Sequence, residues 1–540
     1  MSHIIIGHTT DSTSCIWVKT NGGGNYWLVL TSQPIGHRLN AIANHEVDVY
    51  LASLGIESVY SQKKQLRLEN GYTNTFDIRN LQPATVYYYS LIASAELEEL
   101  QGSARLIEGG DDKHRFKSMP LNPSKFSFGF YSCNDLEKIG INLWKEFYQQ
   151  ISEKDAAFVI GGGDQMYADS SGAKYNVWKY LKINKQRILN SGLFTDNEGN
   201  LVPEKVIEEL APQYRKFYEV YWNDQELQKV FSQFPQYMIW DDHEIMDGWG
   251  SFTAKARGKL LNDLLDNDDS KLNIQLSYIT FLTALKVYNE FQHSHNPQLI
   301  TNNNLLNPQD CVWDYHFNFG NSAFYFLDMR GHHDVELPDG ERLLGSPQKI
   351  RFQNWINSPS AANKKVLFLI SPVPVVHWKD GFASTFDFTV GNLNLAKDDF
   401  RDEWGHAKNR TERNWLLNLV MELSQSRNQK IVFLSGDVHS FSLFKITNEA
   451  QYPGANVYNL TSSGISRKPA PLITQPQICN NKDKIKGLTG ARLVKFAGQA
   501  GRNNFACISV NEEHGEVKIK TELFYYKNGT EQLKSIITYI

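Results

Sequence analysis

Acidic, histidine and cysteine side chains cluster at four places in the sequence, far apart along the chain. The clusters are Ser132-Cys133-Asn134-Asp135, Gly161-Gly162-Gly163-Asp164, Asp241-Asp242-His243-Glu244 and Gly436-Asp437-Val438-His439. Carboxylate, imidazole and thiolate groups are the common metal ligands of proteins. Bringing carboxylates from separate segments together is costly without a compensating positive charge. If the fold joins these clusters, a metal is the natural source of that charge.

Each cluster directly follows an apolar segment that has the length of a buried β-strand. Two further apolar segments end at Asp328-Met329-Arg330 and at Ser371-Pro372. The six predicted strands cover residues 126–131, 156–160, 236–240, 324–327, 366–370 and 430–434. In α/β sheets, ligands bind at the edge formed by the carboxyl ends of the strands. We therefore expect an α/β fold with the polar clusters at that edge.

The three glycines before Asp164 raise the alternative of a phosphate-binding loop. A P-loop requires the pattern GxxxxGK[ST], and no Lys-Ser or Lys-Thr pair follows the glycines. The dinucleotide pattern GxGxxG also fails, because Gly163 continues into Asp164-Gln165. The sequence excludes both nucleotide motifs at this position.

The composition restricts the class of protein. The chain has 540 residues, 41% hydrophobic and 21% charged, which is typical of a globular protein of two or three domains. Its net charge of -4 and the lack of a polybasic block give no nucleic-acid-binding signature. No apolar run reaches the length of about 18 residues that marks a membrane-spanning helix.

The expected location is the cytoplasm. The first residues have neither a basic region nor a long apolar region, so they do not resemble a signal peptide. A periplasmic or secreted location stays open if the chain is processed. Five scattered cysteines, an odd number without a CxxC pair, predict reduced thiols and no disulfide framework.

Residues 1–118 have the pattern of β structure, with short alternating apolar runs between turns. The segment 81–91 begins with a proline turn and continues with alternating Val and Tyr, which resembles a run typical of fibronectin type III domains. A linker with two prolines follows at 117–124. We place a domain boundary there, between residues 1–118 and 119–540.

The order and spacing of the four clusters resemble the alkaline phosphatase D (PhoD-like) family of calcineurin-like metallophosphoesterases. Segments 327–330 and 344–348, with Trp355, also fit that family's motifs. The matched motifs cover about residues 126–440. The resemblance implies an α/β metallophosphoesterase sandwich of four layers, preceded by an all-β immunoglobulin- or fibronectin III-like sandwich. It also implies hydrolysis of phosphate esters, diesters and/or monoesters, by a metal-bound hydroxide at a dinuclear site.

The resemblance assigns roles to individual residues. Asp164 would bridge two cations, the first held also by Cys133, Tyr167 and His439, the second by Asp242 and Asp437. The phenolate of Tyr167 favours Fe3+ in the first site. The second ion would be divalent, Ca2+, Mn2+ or Zn2+. The superfamily usually places a histidine ligand after its fourth strand, where Ser371-Pro372 stands here, and this departure favours calcium or manganese.

The two implied catalytic residues are His243, as a proton donor near the leaving oxygen, and Arg330, as a phosphate contact.

Several alternatives remain open. Cys133 and Tyr167 could be packing residues, and Arg330 could pair with Asp328 instead. Asp169, Asp241 and Glu244 are expected to hydrogen-bond to the ligands, and the helical inserts 170–235 and 250–320 are expected to form a substrate-selecting rim.

Three functions from different classes stay open. The first is the hydrolase, with a small or polymeric phosphate ester as substrate. The second is a catalytically silent metal-binding or interaction protein that retains the fold, which would be favoured if His243 pointed away from the metals. The third is carbohydrate or partner binding by residues 1–118, which an exposed aromatic patch would support. The sequence does not specify the oligomeric state.

Overall fold

The computed structural model describes residues 2–35, 51–52, 55–94, 104–137, 140–169, 176–266, 270–300, 303–384, 401–481, 483–526 and 532–540. Strands β1 to β8 are His3–Thr9, Thr13–Lys19, Gly24–Thr31, Ser58–Leu66, Thr73–Arg79, Val86–Ser94, Ala104–Gly109 and Arg115–Lys117. Strands β9 to β15 are Lys125–Tyr131, Phe158–Gly162, Gln236–Ile239, Tyr315–Phe319, Ser322–Phe326, Val366–Ile370 and Lys430–Ser435. Strands β16 to β21 are Phe441–Asn448, Tyr452–Ser462, Arg492–Gln499, Asn504–Glu513, Glu516–Tyr526 and Leu533–Tyr539. Helices α1 to α10 are Trp144–Glu153, Val177–Asn190, Pro203–Tyr221, Gln225–Gln233, Ala254–Leu265, Ser270–Phe291, Gly345–Asn357, Pro359–Ala362, Asp380–Ala383 and Arg410–Arg427.

Strands β1 to β8 form two antiparallel sheets. One has the order β1-β2-β5, and the other has the order β4-β3-β6-β7 with β8 paired to β6. Apolar side chains of both sheets share one core, in which Ile16 and Phe76 of the first sheet join Leu28 and Tyr89 of the second. The predicted β structure in this part of the chain is therefore present. The domain boundary after residue 118 stays a prediction.

The strands that precede the polar clusters lie in two further sheets. In the order β11-β10-β9-β19-β20-β21, the strands β9, β10 and β11 run parallel. In the order β12-β13-β14-β15-β17-β16-β18, the strands β13, β14, β15 and β17 run parallel. All six strands predicted from the apolar segments are confirmed. Their carboxyl ends carry the residues of interest.

An aromatic cluster joins these two sheets face to face. Phe128 of β9 stacks on Phe158 of β10, with 5.1 Å between the ring centroids. It also meets the edges of Phe324 at 5.5 Å and of Phe368 at 5.2 Å, which belong to the other sheet. Such contacts between aromatic rings stabilise beyond the area that they bury. They fix the position of the carboxyl-terminal edge of one sheet relative to that of the other.

The seven-stranded sheet is covered on its other face by α7 and α10. Leu367 and Leu369 of β14 join Phe352 of α7 and Leu416 of α10 in a second core, while Phe368 points into the first. Because both faces of β14 are buried, its sequence is a continuous apolar run instead of an alternating one.

The helical inserts attach the amino-terminal sheets to the rest of the chain. Helices α3 and α6 lie within the predicted helical inserts 170–235 and 250–320, respectively. Trp17 of β2 donates its indole N–H to the carbonyl of Glu290 at 2.7 Å, and Arg215 of α3 pairs with the Glu290 carboxylate at 2.7 Å. Arg215 also donates to the carbonyl of Glu69 at 2.6 Å. All five cysteines are free thiols, as predicted. Within the described ranges, no helix is long and apolar enough to cross a membrane.

Two buried histidines lie where β1, β2 and β11 meet the 3-10 turn His293–His295. Both His293 and His295 are fully buried, and their ring nitrogens have no hydrogen-bond partner among the described residues. Burial lowers the pKa of each to about 3. Both imidazoles are therefore neutral in the folded protein at neutral pH.

This burial predicts a loss of stability in acid. The folded-state pKa of each histidine lies below its ordinary value of 6.5, so the unfolded chain takes up protons first. Stability is full above pH 6.5 and falls as the pH decreases toward 3, by about 1.4 kcal/mol per pH unit for each histidine. Urea unfolding midpoints measured from pH 7 to pH 5 should fall less steeply in the double variant His293→Met, His295→Met. The exposed His514→Met is the control. An unchanged slope in the double variant would contradict this account.

Candidate metal centre

The carboxyl ends of β9, β10 and β15 place Cys133, Asp164 and Asp437 beside one another. The Cys133 amide donates to the carbonyl of Gly163 at 3.2 Å, and the Asn134 amide donates to that of Asp164 at 2.9 Å. Gly163 has φ +105°, and a Cβ there would lie 2.8 Å from the Cβ of Asp241. Only glycine permits this close approach, which brings Asp164 next to the loop that follows β11.

The first group of candidate ligands surrounds one carboxylate oxygen of Asp164. The Cys133 thiol lies 3.4 Å from Asp164 Oδ2, and the Tyr167 hydroxyl donates to the same oxygen at 3.0 Å. Tyr167 Oη also lies 3.3 Å from His439 Nε2. All four side chains that were predicted for the first cation therefore come together. Burial raises the pKa of the Cys133 thiol and of the Tyr167 hydroxyl.

The second group consists of carboxylates. Asp164, Asp241, Asp242 and Asp437 each offer an oxygen atom within 4.8 Å of the others. A ring nitrogen of His243 also lies within 4.8 Å of oxygens of Asp164 and Asp242. Asp164 belongs to every group of potential ligands found in the described part of the chain.

Among the described residues, three buried oxygens of these four carboxylates have no hydrogen-bond partner, namely Asp164 Oδ1, Asp241 Oδ2 and Asp242 Oδ1. Burial raises the pKa of Asp164 to about 6 and those of Asp241 and Asp437 well above their usual range. Unsatisfied buried acceptors are costly, and bound cations are the usual remedy. The residues present therefore fit a metal centre.

Arg330 supplies part of the counter-charge, and its guanidinium pairs with acids other than the expected alternative partner Asp328. Its guanidinium is fully buried, pairs with Asp241 at 2.5 Å and Asp402 at 2.7 Å, and lies 3.7 Å from Asp242. The expected alternative partner, the side chain of Asp328, instead accepts from the main-chain N–H of Arg330 at 3.0 Å. Carboxylates surround the guanidinium, so Arg330 balances their charge, while its Nη2 has no hydrogen-bond partner among the described residues. The role of Arg330 as a phosphate contact stays a prediction.

The sequence analysis missed two acids of this centre, Asp402 and Glu403. Both are buried, and after burial itself and Asp241 their charges are the next causes of the raised pKa of Asp437. No apolar strand precedes them, so the strand-end signal did not apply. The pair Asp402-Glu403 before Trp404 was the sequence signal that could have identified them.

His243 is held by a carboxylate outside the ligand groups. Its Nδ1 lies 2.8 Å from Asp169 Oδ1, and its ring packs 4.1 Å from the ring of Tyr167. Burial alone would lower the pKa of His243, but Asp169, Asp242 and Asp164 raise it well above the ordinary value. These three carboxylates therefore favour the protonated form of His243.

The three acids expected to hydrogen-bond to the ligands bond to neighbours of the ligands instead. Glu244 accepts from the amides of Gln165 at 2.8 Å and Asp241 at 3.0 Å, which fixes the loops that carry Asp164 and Asp242. Asp169 orients His243, and Asp241 accepts from Arg330.

The loop after β17 adds two residues that had no motif. Ser463 Oγ lies 3.1 Å from the Cys133 thiol and accepts from the His439 amide at 2.9 Å. The guanidinium of Arg467 lies 4.9 Å from the centre of the Tyr167 ring and pairs with Asp135. Its side chain is 14% exposed, so Arg467, unlike Arg330, is a cation that solvent can reach beside the centre.

Four candidate ligands have left-handed backbone conformations. The φ angles are 56° at Cys133, 56° at Asp164, 64° at Asp437 and 47° at His439. Such angles are uncommon for residues other than glycine and cost about 1–3 kcal/mol each. Strain of this kind concentrates at functional sites, where the surrounding structure imposes it.

The fold and the site together define a protein of the PhoD type. The chain superposes on a solved structure of PhoD with a TM-score of 0.62 and 15% identity, over 99% of this chain and 91% of that chain, a likeness of fold. The family model for PhoD-like phosphatases matches residues 128–507, which contain every candidate ligand. The chain therefore belongs to the PhoD-like phosphatase family, as its motifs predicted.

Two curated relatives agree with this membership. One is alkaline phosphatase D of Bacillus subtilis, 23% identical over 377 residues, which are 67% of this chain and 52% of the relative. The other is the uncharacterized protein YGR266W of Saccharomyces cerevisiae, 23% identical over 400 residues, or 62% of this chain and 53% of that protein. The matched region thus spans about half the length of each relative.

The position of Arg330 predicts that Arg330→Met destabilises the protein. The variant leaves buried carboxylates without their cation, which should lower the free energy of unfolding by about 3–5 kcal/mol. Urea unfolding of chelator-treated protein measures this, with the exposed Arg67→Met as control. Unchanged stability combined with a raised KM for a phosphate ester would instead show that Arg330 contacts phosphate.

Proposed function

We propose that the protein is a metal-dependent phosphoesterase that hydrolyses phosphate esters at a dinuclear site. The observation that carries this proposal is the shared membership of Asp164 in every group of potential ligands. A single carboxylate between two ligand groups is the arrangement that allows two cations to be bound close together. Membership of a phosphatase family supports the same conclusion.

The donor atoms favour different ions in the two halves of the site. Cys133, Tyr167 and His439 would hold one cation with Asp164, and thiolate and phenolate donors suit Fe3+. Asp242 and Asp437 would hold the second. The buried acids Asp241, Asp402 and Glu403 around them make this half rich in oxygen, which suits Ca2+ or Mn2+ better than Zn2+.

The chain's own residues would bind the phosphate of the substrate and donate a proton to the leaving oxygen. When bound, the cations would neutralise phosphoryl oxygens and lower the pKa of a bound water. Asp169 orients His243 through Nδ1, so that Nε2 can donate its proton to the leaving oxygen. Arg467, partly open to solvent beside Tyr167, is the arginine that we assign to the phosphate.

The competing functions receive less support. A silent metal-binding protein was expected if His243 pointed away from the metals, but a ring nitrogen of His243 lies within 4.8 Å of ligand oxygens of Asp164 and Asp242. Carbohydrate binding by residues 1–118 was expected to show an exposed aromatic patch. In the described part of that segment, the large apolar side chains that are exposed are Val59, Leu68 and Val86, and none is aromatic.

We further propose the finer fold assignment. Two antiparallel sheets around a shared core support an immunoglobulin- or fibronectin III-like sandwich in the amino-terminal part. Two sheets packed face to face, with α7 and α10 outside one and α1 beside β9 of the other, support a four-layered second part.

A bridging role for Asp164 predicts that Asp164→Asn loses both metals together. Each half of the site loses a charged ligand, so elemental analysis should find that the amounts of both metals per chain fall in parallel. The rates of hydrolysis of bis(p-nitrophenyl) phosphate and p-nitrophenyl phosphate should fall as well. The exposed Asp155→Asn should keep metals and activity. Loss of one metal with full retention of the other would contradict the bridge, and a metal-free wild-type protein that also binds no added iron, manganese or calcium would overturn the proposed function.

Proton donation by His243 predicts a slower reaction with intact metals. His243→Gln should lower kcat by about 10²–10⁴-fold with little change in KM, because the proton is needed in the transition state. Asp169→Asn should show a smaller fall, since it disturbs only the orientation of His243. The surface variant His514→Gln is the control. An unchanged kcat in His243→Gln at full metal content would exclude the assigned role.

A further inference from the structure

One stretch of the chain has a charge that the overall composition conceals. Residues 464–502 contain eight Lys or Arg residues and a single acidic residue, Asp483, so they carry a net charge of +7. The whole chain has a net charge of -4. The remainder therefore carries a net charge of -11, so this stretch is a local excess of positive charge in an acidic chain.

The same stretch exposes large apolar side chains. Ile473 is 85% exposed and Leu472 is 53% exposed, both in the 3-10 helix Leu472–Gln477. Val494 and Phe496 are 41% and 43% exposed on β18, the edge strand of the seven-stranded sheet. Phe496 is the extra residue where the register with β16 shifts, because Ala497 and Lys495 pair with consecutive residues of that strand.

The 3-10 helix packs directly against the end of β18. The Gln475 side chain donates to the carbonyl of Gly498 at 3.2 Å and accepts from the amide of Ala500 at 2.7 Å. The backbone of Lys484 forms an isolated antiparallel β-bridge with that of Arg492, at the start of β18. We call this surface the basic apolar face and define it by Lys468, Leu472, Ile473, Lys484, Val494 and Phe496. Both lysines of the face are exposed.

The basic apolar face begins at the metal centre. The amide of Ala470 donates to the carbonyl of the candidate ligand His439 at 2.8 Å, two residues before Leu472. Arg467, three residues earlier, lies over Tyr167. Anything that binds at the Lys468, Leu472 and Ile473 end of the face is thus held near the site.

We propose that the basic apolar face binds the surface of an anionic lipid bilayer and so holds the metal centre against the headgroup layer. Exposed aliphatic side chains enter the boundary of the acyl region, and lysines beside them attract anionic headgroups. The inference that headgroup phosphate esters then reach the site rests on the proposed function. The binding itself does not.

The charge and the side-chain types favour a bilayer over other occupants. A second copy of the chain would bring two faces of the same positive charge together. A nucleic acid would gain from the lysines and could stack a base on Phe496, but Ile473 and Leu472, the most exposed apolar residues of the face, provide neither hydrogen bonds nor a stacking surface for bases. The combination of charge with exposed aliphatic groups fits a lipid interface.

Vesicle co-sedimentation tests the proposal with the full-length protein. We expect binding to phosphatidylcholine vesicles that contain phosphatidylserine and little binding to pure phosphatidylcholine. Ile473→Ser should weaken the partition by about tenfold, and Lys468→Ala and Lys484→Ala by about fivefold each. Ile183→Ser, at a site 73% exposed on α2, and Lys518→Ala, an exposed lysine of β20, are the matched controls.

Two vesicle results would overturn the proposal: equal partition into neutral and anionic vesicles, or unchanged partition of Ile473→Ser. Binding to heparin as tight as that to anionic vesicles, and not weakened by Ile473→Ser, would instead indicate a nucleic acid. A dimer in ultracentrifugation that Ile473→Ser abolishes would indicate a second copy of the chain. Hydrolysis of bis(p-nitrophenyl) phosphate without vesicle binding would refute the face and leave the proposed function intact. Vesicle binding without hydrolysis of any phosphate ester would do the reverse.

Discussion

The structure depends on the burial of several carboxylates at one place. Asp164, Asp241, Asp242 and Asp437 have ligand oxygens within 4.8 Å of one another, and Asp402 and Glu403 are buried around them. Arg330 lies among them, and in the described part of the chain one buried oxygen each of Asp164, Asp241 and Asp242 has no hydrogen-bond partner. Such a cluster is stabilised by further positive charge. A bound metal would supply that charge, so metal binding would stabilise the fold at the same place where it would serve the chemistry.

The fold satisfies this condition by fixing two sheet edges against each other. Parallel strands in each sheet end at the same edge, and the aromatic contacts of Phe128 with Phe324 and Phe368 hold the sheets in register. The candidate ligands Cys133, Asp164, Asp437 and His439 have left-handed backbone conformations. The energetic cost of that strain is balanced by the packing of the two cores, the first of which includes Cys133 and Tyr167.

The sequence predicted the residues at strand ends and missed those on loops. Each predicted ligand follows a buried strand. The combination of an apolar run and the polar cluster after it therefore identifies the ligand in the sequence. Asp402, Ser463 and Arg467 reach the centre from segments without such a run, and only the tertiary fold shows their position. Arg330 also follows a strand, but the acids Asp241 and Asp402 beside its guanidinium come from distant segments, so only the tertiary fold shows its burial among them. Charge summed over the whole chain likewise concealed the basic stretch 464–502.

Anomalous diffraction from crystals of the protein loaded with Mn2+ and Fe3+ would test the central claim most directly, since it locates each ion independently of activity. The account predicts two peaks, one among Cys133, Tyr167 and His439 and one between Asp242 and Asp437, with Asp164 contacting both. A single peak, or two peaks that do not share Asp164, would contradict it.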